Sequence, residues 1–240
     1  MAWFFTENEI LGEIFTISGE NAKHIKVLRM RRGENLTLVT PGKLQYECEL
    51  ISAEGDRAEV KVVSKQPCQN EPDVAVTLYQ ALPKGDKMDY IIQKCVELGV
   101  SRILPMISER CVSRPDEKTL RKKQERWQKI ALQAAMQSRR GIIPEVGSCV
   151  SFKKAVELSC QNEKTIFFYE LGGESVKKLL TDKPKSIGIF IGSEGGFSPE
   201  EVGLAVENGA QAATLGKRIL RAETAPLAAL SIIMYQTDNF

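Results

Sequence analysis

From about Val74 onward the sequence alternates short apolar segments with amphipathic ones, and this alternation restricts the possible fold more than any other feature. The apolar segments "VAVTLYQAL", "SRILPMI", "KTIFFYEL", "SIGIFIG" and "AATLG" are typical of strands buried on both faces of a parallel sheet. The segments "GDKMDYIIQKCVELG", "EKTLRKKQERWQKIALQAAMQ", "SVKKLL", "PEEVGLAVEN" and "APLAALSIIMYQ" have the pattern of helices. Residues 74–240 are therefore predicted to form an α/β domain around a parallel sheet.

Residues 1–70 follow a different pattern, in which apolar and polar side chains alternate. "NLTLVT", "QYECELI" and "AEVKVV" show the period of two that is typical of strands with one buried face. The turn-rich stretches "TPGK" and "AEGD" separate these strands, so this part is predicted to be a small β-barrel or sandwich. "KQPCQNEPD", with two prolines among polar residues, is the predicted linker to the α/β domain.

The first predicted helix of the α/β domain has recognisable ends. Asp86 is predicted to cap its N-terminus, and Gly99 is predicted to stop it in a left-handed conformation. The apolar stripe between them consists of Met88, Ile91, Ile92, Cys95 and Leu98. In the next helix, Trp127 is predicted to lie in the core rather than in a binding site.

The cysteine pattern excludes two common stabilising devices. Six cysteines are scattered without a CxxC pair, and the chain has one histidine, so neither a structural zinc site nor a disulfide framework is expected. No apolar run approaches the roughly 20 residues that span a membrane, and "MAWFFTENEI" lacks the basic start of a secretory signal. These features predict a protein of the reducing cytoplasm.

Basic residues are clustered although the net charge is only +2. Residues 110–140 contain ten Lys and Arg residues against three acids, and a smaller cluster of five basic residues lies between Lys23 and Arg32. Such clusters are typical either of a surface that binds a polyanion or of solvated helix faces. The sequence alone leaves both interpretations open.

The stretch "FIGSEGGFSPEEV", residues 190–202, places a glycine-rich loop between a strand and a helix. Ser198, Pro199 and Glu201 have the spacing of a capping box, which predicts that the helix begins at Pro199. Ligands bind at the carboxyl ends of strands in open α/β sheets, and glycines there expose bare backbone. The spacing matches neither a dinucleotide motif nor a P-loop, so a dehydrogenase or a nucleoside triphosphate site is disfavoured.

A second segment, "TLGKRILRAETAPLAAL", has the same construction about two dozen residues later. A glycine follows the predicted strand, and the bases Lys217, Arg218 and Arg221 come next, before Glu223. Pro226 marks the predicted start of the last helix. Two strand-end loops of this kind are predicted to line one pocket, although each by itself is also compatible with a tight connection.

Together the two segments resemble the RsmE family of SPOUT-class RNA methyltransferases, which methylates N3 of a uridine in 16S ribosomal RNA. The resemblance is carried by "IGSEGGFSPEE" and "LGKRILRAETAPLAAL", and is supported by "KGDKMDYIIQKCVELGVSRI", "ERWQKIALQAAMQSRR" and "HIKVLRM". It implies an N-terminal PUA-like β-barrel that binds RNA, over residues 1–70. Over residues 74–240 it implies a SPOUT methyltransferase domain with a C-terminal trefoil knot, which forms homodimers.

The resemblance also implies that S-adenosylmethionine (SAM) lies in a pocket made by three loops. The implied cofactor-binding residues are Leu171, Gly172, Ile191, Gly192, Glu194, Gly195, Gly196, Leu215, Gly216, Ile219, Leu220, Arg221, Thr224 and Ala225. Backbone groups would bind adenine and ribose there, and the apolar side chains would cover the faces of the cofactor. The glycines would thus expose backbone to a cofactor that has no phosphate.

Methylation at N3 requires loss of the N3 proton, which makes the uracil ring anionic. A cation beside a ring carbonyl favours that charge, and Arg221 is the predicted candidate, with a surface ion pair as the alternative. Glu194 and Glu223 are the predicted bases or orienting groups. The predicted phosphate contacts to 16S rRNA in the 30S ribosomal subunit are Arg29, Arg31, Arg32, Lys84, Lys87, Lys94, Arg110, Arg139 and Arg140.

Three residues depart from the pattern of the family that the chain resembles. Ser193 stands at a usual proline, Met136 at a usual glutamate, and Trp3 in a region that is often basic. Two other functions remain as alternatives. The chain would then be either a SPOUT methyltransferase that acts on tRNA or 23S rRNA, or a non-catalytic RNA-binding module.

Overall fold

The computed structural model describes residues 2–240, which form two compact units. The first unit contains the residues up to Glu71 together with Ala135–Ile143, and the second contains Pro72–Ala134 together with Pro144–Phe240. No helix in the described range is long and apolar enough to cross a membrane.

The first unit contains five strands and a short helix. In chain order these are β1 (Ala2–Phe5), β2 (Ile14–Ser18), α1 (Gly19–Val27), β3 (Asn35–Val39), β4 (Leu44–Glu54) and β5 (Arg57–Pro67). The strands form one sheet in the order β1-β3-β4-β5-β2, in which only the β1–β3 pair is parallel. The predicted alternation in β4 is confirmed, because Tyr46, Cys48 and Leu50 are all buried. Helix α1 was not predicted, because it buries only Ala22 and Ile25.

Residues 135–143 pack with the first unit, which differs from the predicted boundary. The physical reason is the carboxylate of Glu71, which accepts hydrogen bonds from the Arg140 guanidinium at 2.6 and 3.2 Å and from the Gly141 amide at 2.8 Å. The indole of Trp3 donates to the Arg140 carbonyl at 3.0 Å. A segment from the middle of the α/β pattern is thereby held against the N-terminal unit, and no local sequence pattern indicates this.

The second unit alternates strands and helices as predicted. Its elements are β6 (Ala75–Ala81), α2 (Lys87–Glu97), β7 (Arg102–Ile107), α3 (Glu117–Gln137, whose last turn enters the first unit), β8 (Glu145–Val146), β9 (Val150–Ser151), α4 (Phe152–Ser159), β10 (Lys164–Phe168), β11 (Glu174–Ser175), α5 (Val176–Leu179), β12 (Ser186–Ile191), α6 (Pro199–Glu207), β13 (Gln211–Thr214) and α7 (Ala225–Gln236). Helix α4 and the two-residue strands β8, β9 and β11 were not predicted.

The second sheet is parallel, in the order β11-β13-β10-β12-β6-β7-β8, with β9 also paired to β7. The α/β class with a parallel sheet is therefore confirmed. Its core includes Phe152, Phe167, Phe190 and Phe197, and the rings of Phe167 and Phe197 lie 4.4 Å apart. Phe197 belongs to the glycine-rich loop, so this side chain anchors the loop in the core.

Most predicted helix ends agree with the structure. Ser198 and Glu201 form the reciprocal capping box with Pro199 at the first helical position, and Gly99 follows α2 with a φ of +95°. The prediction that the Asp86 side chain caps α2 is wrong. Asp86 lies at the cap position with φ −100° and ψ 13°, outside the extended conformation that capping requires, and its side chain makes no capping hydrogen bond. Trp127 is buried, as predicted.

Two neighbouring glycines after β10 allow a matched test of backbone packing. Gly172 and Gly173 both have positive φ, but a Cβ on Gly173 would lie 2.6 Å from the backbone nitrogen of Ala213, whereas one on Gly172 meets nothing within 4 Å. We expect Gly172→Ala to cost about 1–2 kcal/mol of unfolding free energy from strain alone, and Gly173→Ala to cost more because β13 must shift. Urea denaturation measures both, and equal losses would contradict the packing argument.

Candidate active site

Three loops at the carboxyl ends of β10, β12 and β13 surround one cavity of about 570 Å³. This volume is within the range of small-molecule sites, roughly 300–1,000 Å³. The first loop contributes Phe168, Tyr169 and Glu170, the second contributes Ile191 to Phe197, and the third contributes Thr214 to Ala222 with Ala225. The structure therefore brings together the two loops that the sequence analysis predicted to share a pocket.

The second loop is compact because its glycines allow the backbone to fold on itself. The Gly196 amide donates to the Ser193 carbonyl at 3.0 Å, and Gly196 has a φ of +66°. A Cβ on Gly192 would lie 3.1 Å from the Cα of Gly196, and one on Gly195 would lie 3.0 Å from the Cβ of Arg110. A side chain at either position would collide with Gly196 or with Arg110, so the loop keeps bare backbone at two positions that line the cavity.

The buried carboxylate of Glu201 fastens this loop to the loop that follows β7. One carboxylate oxygen accepts from the Ser198 amide at 3.1 Å, which is the predicted capping contact, and the other accepts from the Glu109 amide at 2.8 Å. The Arg110 guanidinium donates to the Gly195 carbonyl at 3.2 Å, and the Ser193 hydroxyl donates to the Arg110 carbonyl at 3.5 Å. Ser193 thus adds a contact at a position where the resembling family usually has proline.

The charged groups of the site form one connected cluster. The Lys87 ammonium lies 2.9 Å from a Glu194 carboxylate oxygen and 3.0 Å from a Glu223 carboxylate oxygen. The Lys84 amide also donates to the Glu194 carboxylate, at 3.2 and 3.3 Å. Arg221 lies at the edge of the cluster, because its guanidinium is 4.0 Å from Glu223 and its side chain is 83% exposed. The Arg221 side chain therefore lines the cavity while its guanidinium remains accessible to solvent.

The hydrogen bonds shift the pKa values of this cluster. Burial raises the pKa of Glu194, but bonds from Lys87 and from the backbone amides of Glu194 and Lys84 lower it by more, so the pKa lies below its ordinary value of 4.5. A bond from its own backbone amide and one from Lys87 lower the pKa of Glu223. The bonds to Glu194 and Glu223 raise the pKa of Lys87 above 10.5. Both carboxylates are therefore weak bases that stay ionised.

These shifts predict the pH range of the ion cluster. Carboxylates with lowered pKa values stabilise the folded state above pH 4.5, and this stabilisation is lost as the pH falls through the lowered values. Because the pKa of Lys87 is raised, its ammonium contributes fully to the stability of the folded state below pH 10.5, and this contribution is lost only as the pH rises through the raised value. We expect the difference in unfolding free energy between wild type and Lys87→Met to be constant from about pH 5 to about pH 9 and to shrink below that range. Urea denaturation at each pH measures it, and a constant difference down to pH 2 would contradict the cluster.

Most of the residues that the resemblance implies for cofactor binding line the cavity. Eleven do so: Ile191, Gly192, Glu194, Gly195, Gly196, Leu215, Gly216, Ile219, Leu220, Arg221 and Ala225. Leu171, Gly172 and Thr224 do not, and Leu171 is 78% exposed. The contact from the first loop instead comes from Tyr169 and Glu170, directly after β10. The rule that ligands lie at strand ends is the signal that points to these two residues.

The residues predicted to contact RNA are not equally available. Arg29, Arg31, Arg32, Lys84, Arg110 and Arg139 are exposed, whereas Lys94 is half-buried and pairs with Glu97 at 2.8 Å. Arg140 is a correction. Its side chain is 3% exposed and pairs with Glu71 at 2.6 Å, so it stabilises the first unit and does not present its charge to a phosphate. The Lys87 ammonium is paired with the carboxylates of Glu194 and Glu223, which offset its charge.

The two remaining departures from the family pattern are both buried. Trp3 is 8% exposed and donates its indole N–H to the Arg140 carbonyl, so it is a core residue of the first unit. Met136 is 9% exposed, and its apolar side chain suits that position. Both substitutions are therefore accounted for by packing.

Comparison with protein families identifies the class of the protein. The model of the RNA methyltransferase domain family matches residues 70–234, and that of the RNA methyltransferase PUA domain matches residues 17–63. Fold, cavity and family models together define an RNA methyltransferase with a PUA-like domain. The ribosomal RNA small subunit methyltransferase E of Bacillus subtilis (strain 168) is 37% identical over 232 residues, covering 93% of this chain and 91% of that protein. The chain belongs to the ribosomal RNA small subunit methyltransferase E family, which confirms the resemblance inferred from the two loops.

Two solved structures are similar over nearly the whole chain. The ribosomal RNA small subunit methyltransferase E of Neisseria gonorrhoeae, bound to S-adenosyl methionine, has a TM-score of 0.88 at 34% identity and covers 98% of this chain and 97% of that one. A methyltransferase of Legionella pneumophila, in complex with the cofactor SAM, has a TM-score of 0.89 at 30% identity with the same coverage.

Proposed function

We propose that this protein transfers a methyl group from SAM to N3 of a specific uridine in the 16S rRNA of the small ribosomal subunit. The observation that carries the proposal is the convergence of three strand-end loops on one cavity lined by bare glycine backbone. The uridine and its N3 atom come from the resemblance of the two loop motifs to the family, and the similar structures with bound SAM support the choice of cofactor.

The residues of the cavity fit SAM better than a nucleotide phosphate. The backbone of Gly192, Gly195 and Gly196 offers donors and acceptors to adenine and ribose, and Ile191, Leu215, Ile219 and Leu220 offer apolar surface to the ring. No lysine follows the glycines as it does in a P-loop. Carboxylates near the cavity, including Glu170 in its lining, suit a ligand that carries a positive sulfonium.

When bound, SAM supplies an electrophilic methyl group on its sulfonium. The residues of the chain hold both reactants in place, and such positioning contributes roughly 7–11 kcal/mol in favourable cases. Arg221 places a permanent positive charge at the cavity, where it stabilises the uracil ring after loss of the N3 proton. The lowered pKa values of Glu194 and Glu223 favour an orienting role over a basic one.

The exposed cations supply the contacts to RNA in this proposal. Arg29, Arg31 and Arg32 form a basic surface on the PUA-like unit, and Lys84, Arg110 and Arg139 are exposed elsewhere on the chain. Such residues bind phosphates without reading sequence, so the affinity for RNA should fall steeply as salt rises.

Three architectural features belong to the same proposal: a closed PUA-like barrel, a C-terminal trefoil knot and a homodimer. The sheet order supports the knot, because β13 lies between β10 and β11, which are themselves joined by a short connection. Exposed Tyr235 and Ile232 on α7 support the dimer. An experimental structure that traces residues 169–240 tests the knot, and light scattering on the purified protein tests the dimer.

The decisive experiment is a methyl-transfer assay with labelled SAM on three RNA substrates. These are 30S particles that lack the modification, protein-free 16S rRNA, and a mixture of tRNA and 23S rRNA. We expect label in 16S rRNA, with mass analysis of the nucleosides showing methylation at N3 of uridine. Label confined to tRNA or 23S rRNA would overturn the assignment of 16S rRNA as the substrate. Absence of SAM binding in calorimetry would favour the non-catalytic module.

A further inference from the structure

We infer that Lys87 is a positioning residue that holds two cavity loops together. Its ammonium group contacts Glu194 in the glycine-rich loop at 2.9 Å and Glu223 in the loop before α7 at 3.0 Å. The two carboxylates are 29 positions apart in the sequence, and each belongs to a different strand-end loop. Lys87 is the first residue of α2, so a third element fixes the distance between the two loops.

The remaining contacts support a bridge rather than a phosphate contact. Both carboxylate side chains that face Lys87 are only partly exposed, at 30% for Glu194 and 21% for Glu223. The Lys84 amide holds Glu194 from the same side, next to the N-terminus of α2, where a carboxylate is favoured. Two carboxylates beside one ammonium make the local net charge negative, so this group attracts an RNA phosphate only weakly.

Loss of the ammonium would leave two carboxylates close together without a cation between them. Like charges at such a distance repel, so the two loops would separate or one carboxylate would take up a proton. The inference that this changes cofactor affinity rests on the proposed function, because it assumes that SAM occupies the cavity. The inference that the two loops loosen does not depend on the proposed function.

The first test therefore uses the protein without cofactor. Hydrogen exchange followed by mass spectrometry compares wild type with Lys87→Met, which keeps the apolar stem of the side chain and removes the charge. We expect faster exchange in both residues 192–197 and residues 215–223, and recovery of protection in Lys87→Arg. The matched control is Lys154→Met, which removes an exposed ammonium that pairs with Glu157 at 3.0 Å on α4. Unchanged exchange in Lys87→Met, or faster exchange in one loop only, would overturn the bridge.

The second test measures SAM binding and methyl transfer separately. For Lys87→Met and for Glu223→Gln we expect the Kd for SAM to rise roughly tenfold, which corresponds to about 1.4 kcal/mol. The double variant should be no worse than either single one, because both remove the same bridge. A large fall in kcat for Glu223→Gln at unchanged Kd would assign it as a base instead. If the wild-type protein fails to bind SAM, the proposed function is wrong. The hydrogen-exchange experiment still tests whether Lys87 holds the two loops together, because it needs no cofactor.

Discussion

Arg221→Ala is expected to lower kcat for methyl transfer by about 10²–10³-fold while leaving the Kd for SAM unchanged. The guanidinium lines the cavity, is 83% exposed, and lies 4.0 Å from its nearest carboxylate partner, so it has both a charge and the freedom to meet the substrate. Under the proposed function, its charge would stabilise the uracil ring only after the N3 proton is lost. A group of this kind affects the rate rather than the binding of the cofactor.

Calorimetry with SAM and a transfer assay at saturating SAM separate the two effects. Arg221→Lys keeps the charge and tests whether the planar guanidinium matters. Lys154→Ala is the control for loss of one exposed cation, because Lys154 lies on α4 and pairs with Glu157. Unchanged transfer by Arg221→Ala would show that Arg221 forms only a surface ion pair.

Glu71→Ala is expected to lower the unfolding free energy of the first unit by about 3–5 kcal/mol. The Glu71 carboxylate accepts from the buried Arg140 guanidinium and from the amides of Gly141 and Ile142. Alanine would take the carboxylate from a guanidinium that is 3% exposed, and it would leave two amide donors without that acceptor. Segment 135–143 should then detach from the first unit.

A tryptophan reporter makes this loss visible. The chain has two tryptophans, and Trp3 donates to the Arg140 carbonyl in the first unit, so a Trp127→Phe background leaves Trp3 fluorescence as the signal for that unit. Glu157→Ala breaks an exposed pair and should cost less than about 1 kcal/mol. A loss of similar size in Glu71→Ala would show that the buried pair contributes little to stability.

Local patterns were sufficient for much of the fold. The parallel strands are continuously apolar because both of their faces are covered, and this composition can be read without knowing their neighbours. The capping box at Ser198 and the glycine stop at Gly99 are likewise local, because each satisfies backbone groups within one turn. Asp86 failed as a cap because the residue type does not fix its backbone conformation.

The candidate site was predictable where it depends on strand ends and glycines. The glycine-rich loop and the loop after β13 were both identified from sequence, and both line the cavity. Tyr169 and Glu170 were missed because the end of β10 was placed too late, at Leu171. A shift of three residues moves a side chain out of the cavity, and element boundaries are the least reliable part of a prediction from sequence.

The sequence by itself determined where most of the longer strands and the glycine loops lie, and that basic residues are clustered, because these features depend on neighbouring residues. Only the tertiary structure decided which charges are available. Arg140 belongs to the same basic stretch as the exposed Arg139 but is paired with Glu71. Lys87, like the exposed Lys84 near it, was a predicted RNA contact but bridges Glu194 and Glu223. These partners are 69, 107 and 136 positions distant in the chain. Ion pairs act over a few ångströms in space, and folding alone sets which distant residues come that close.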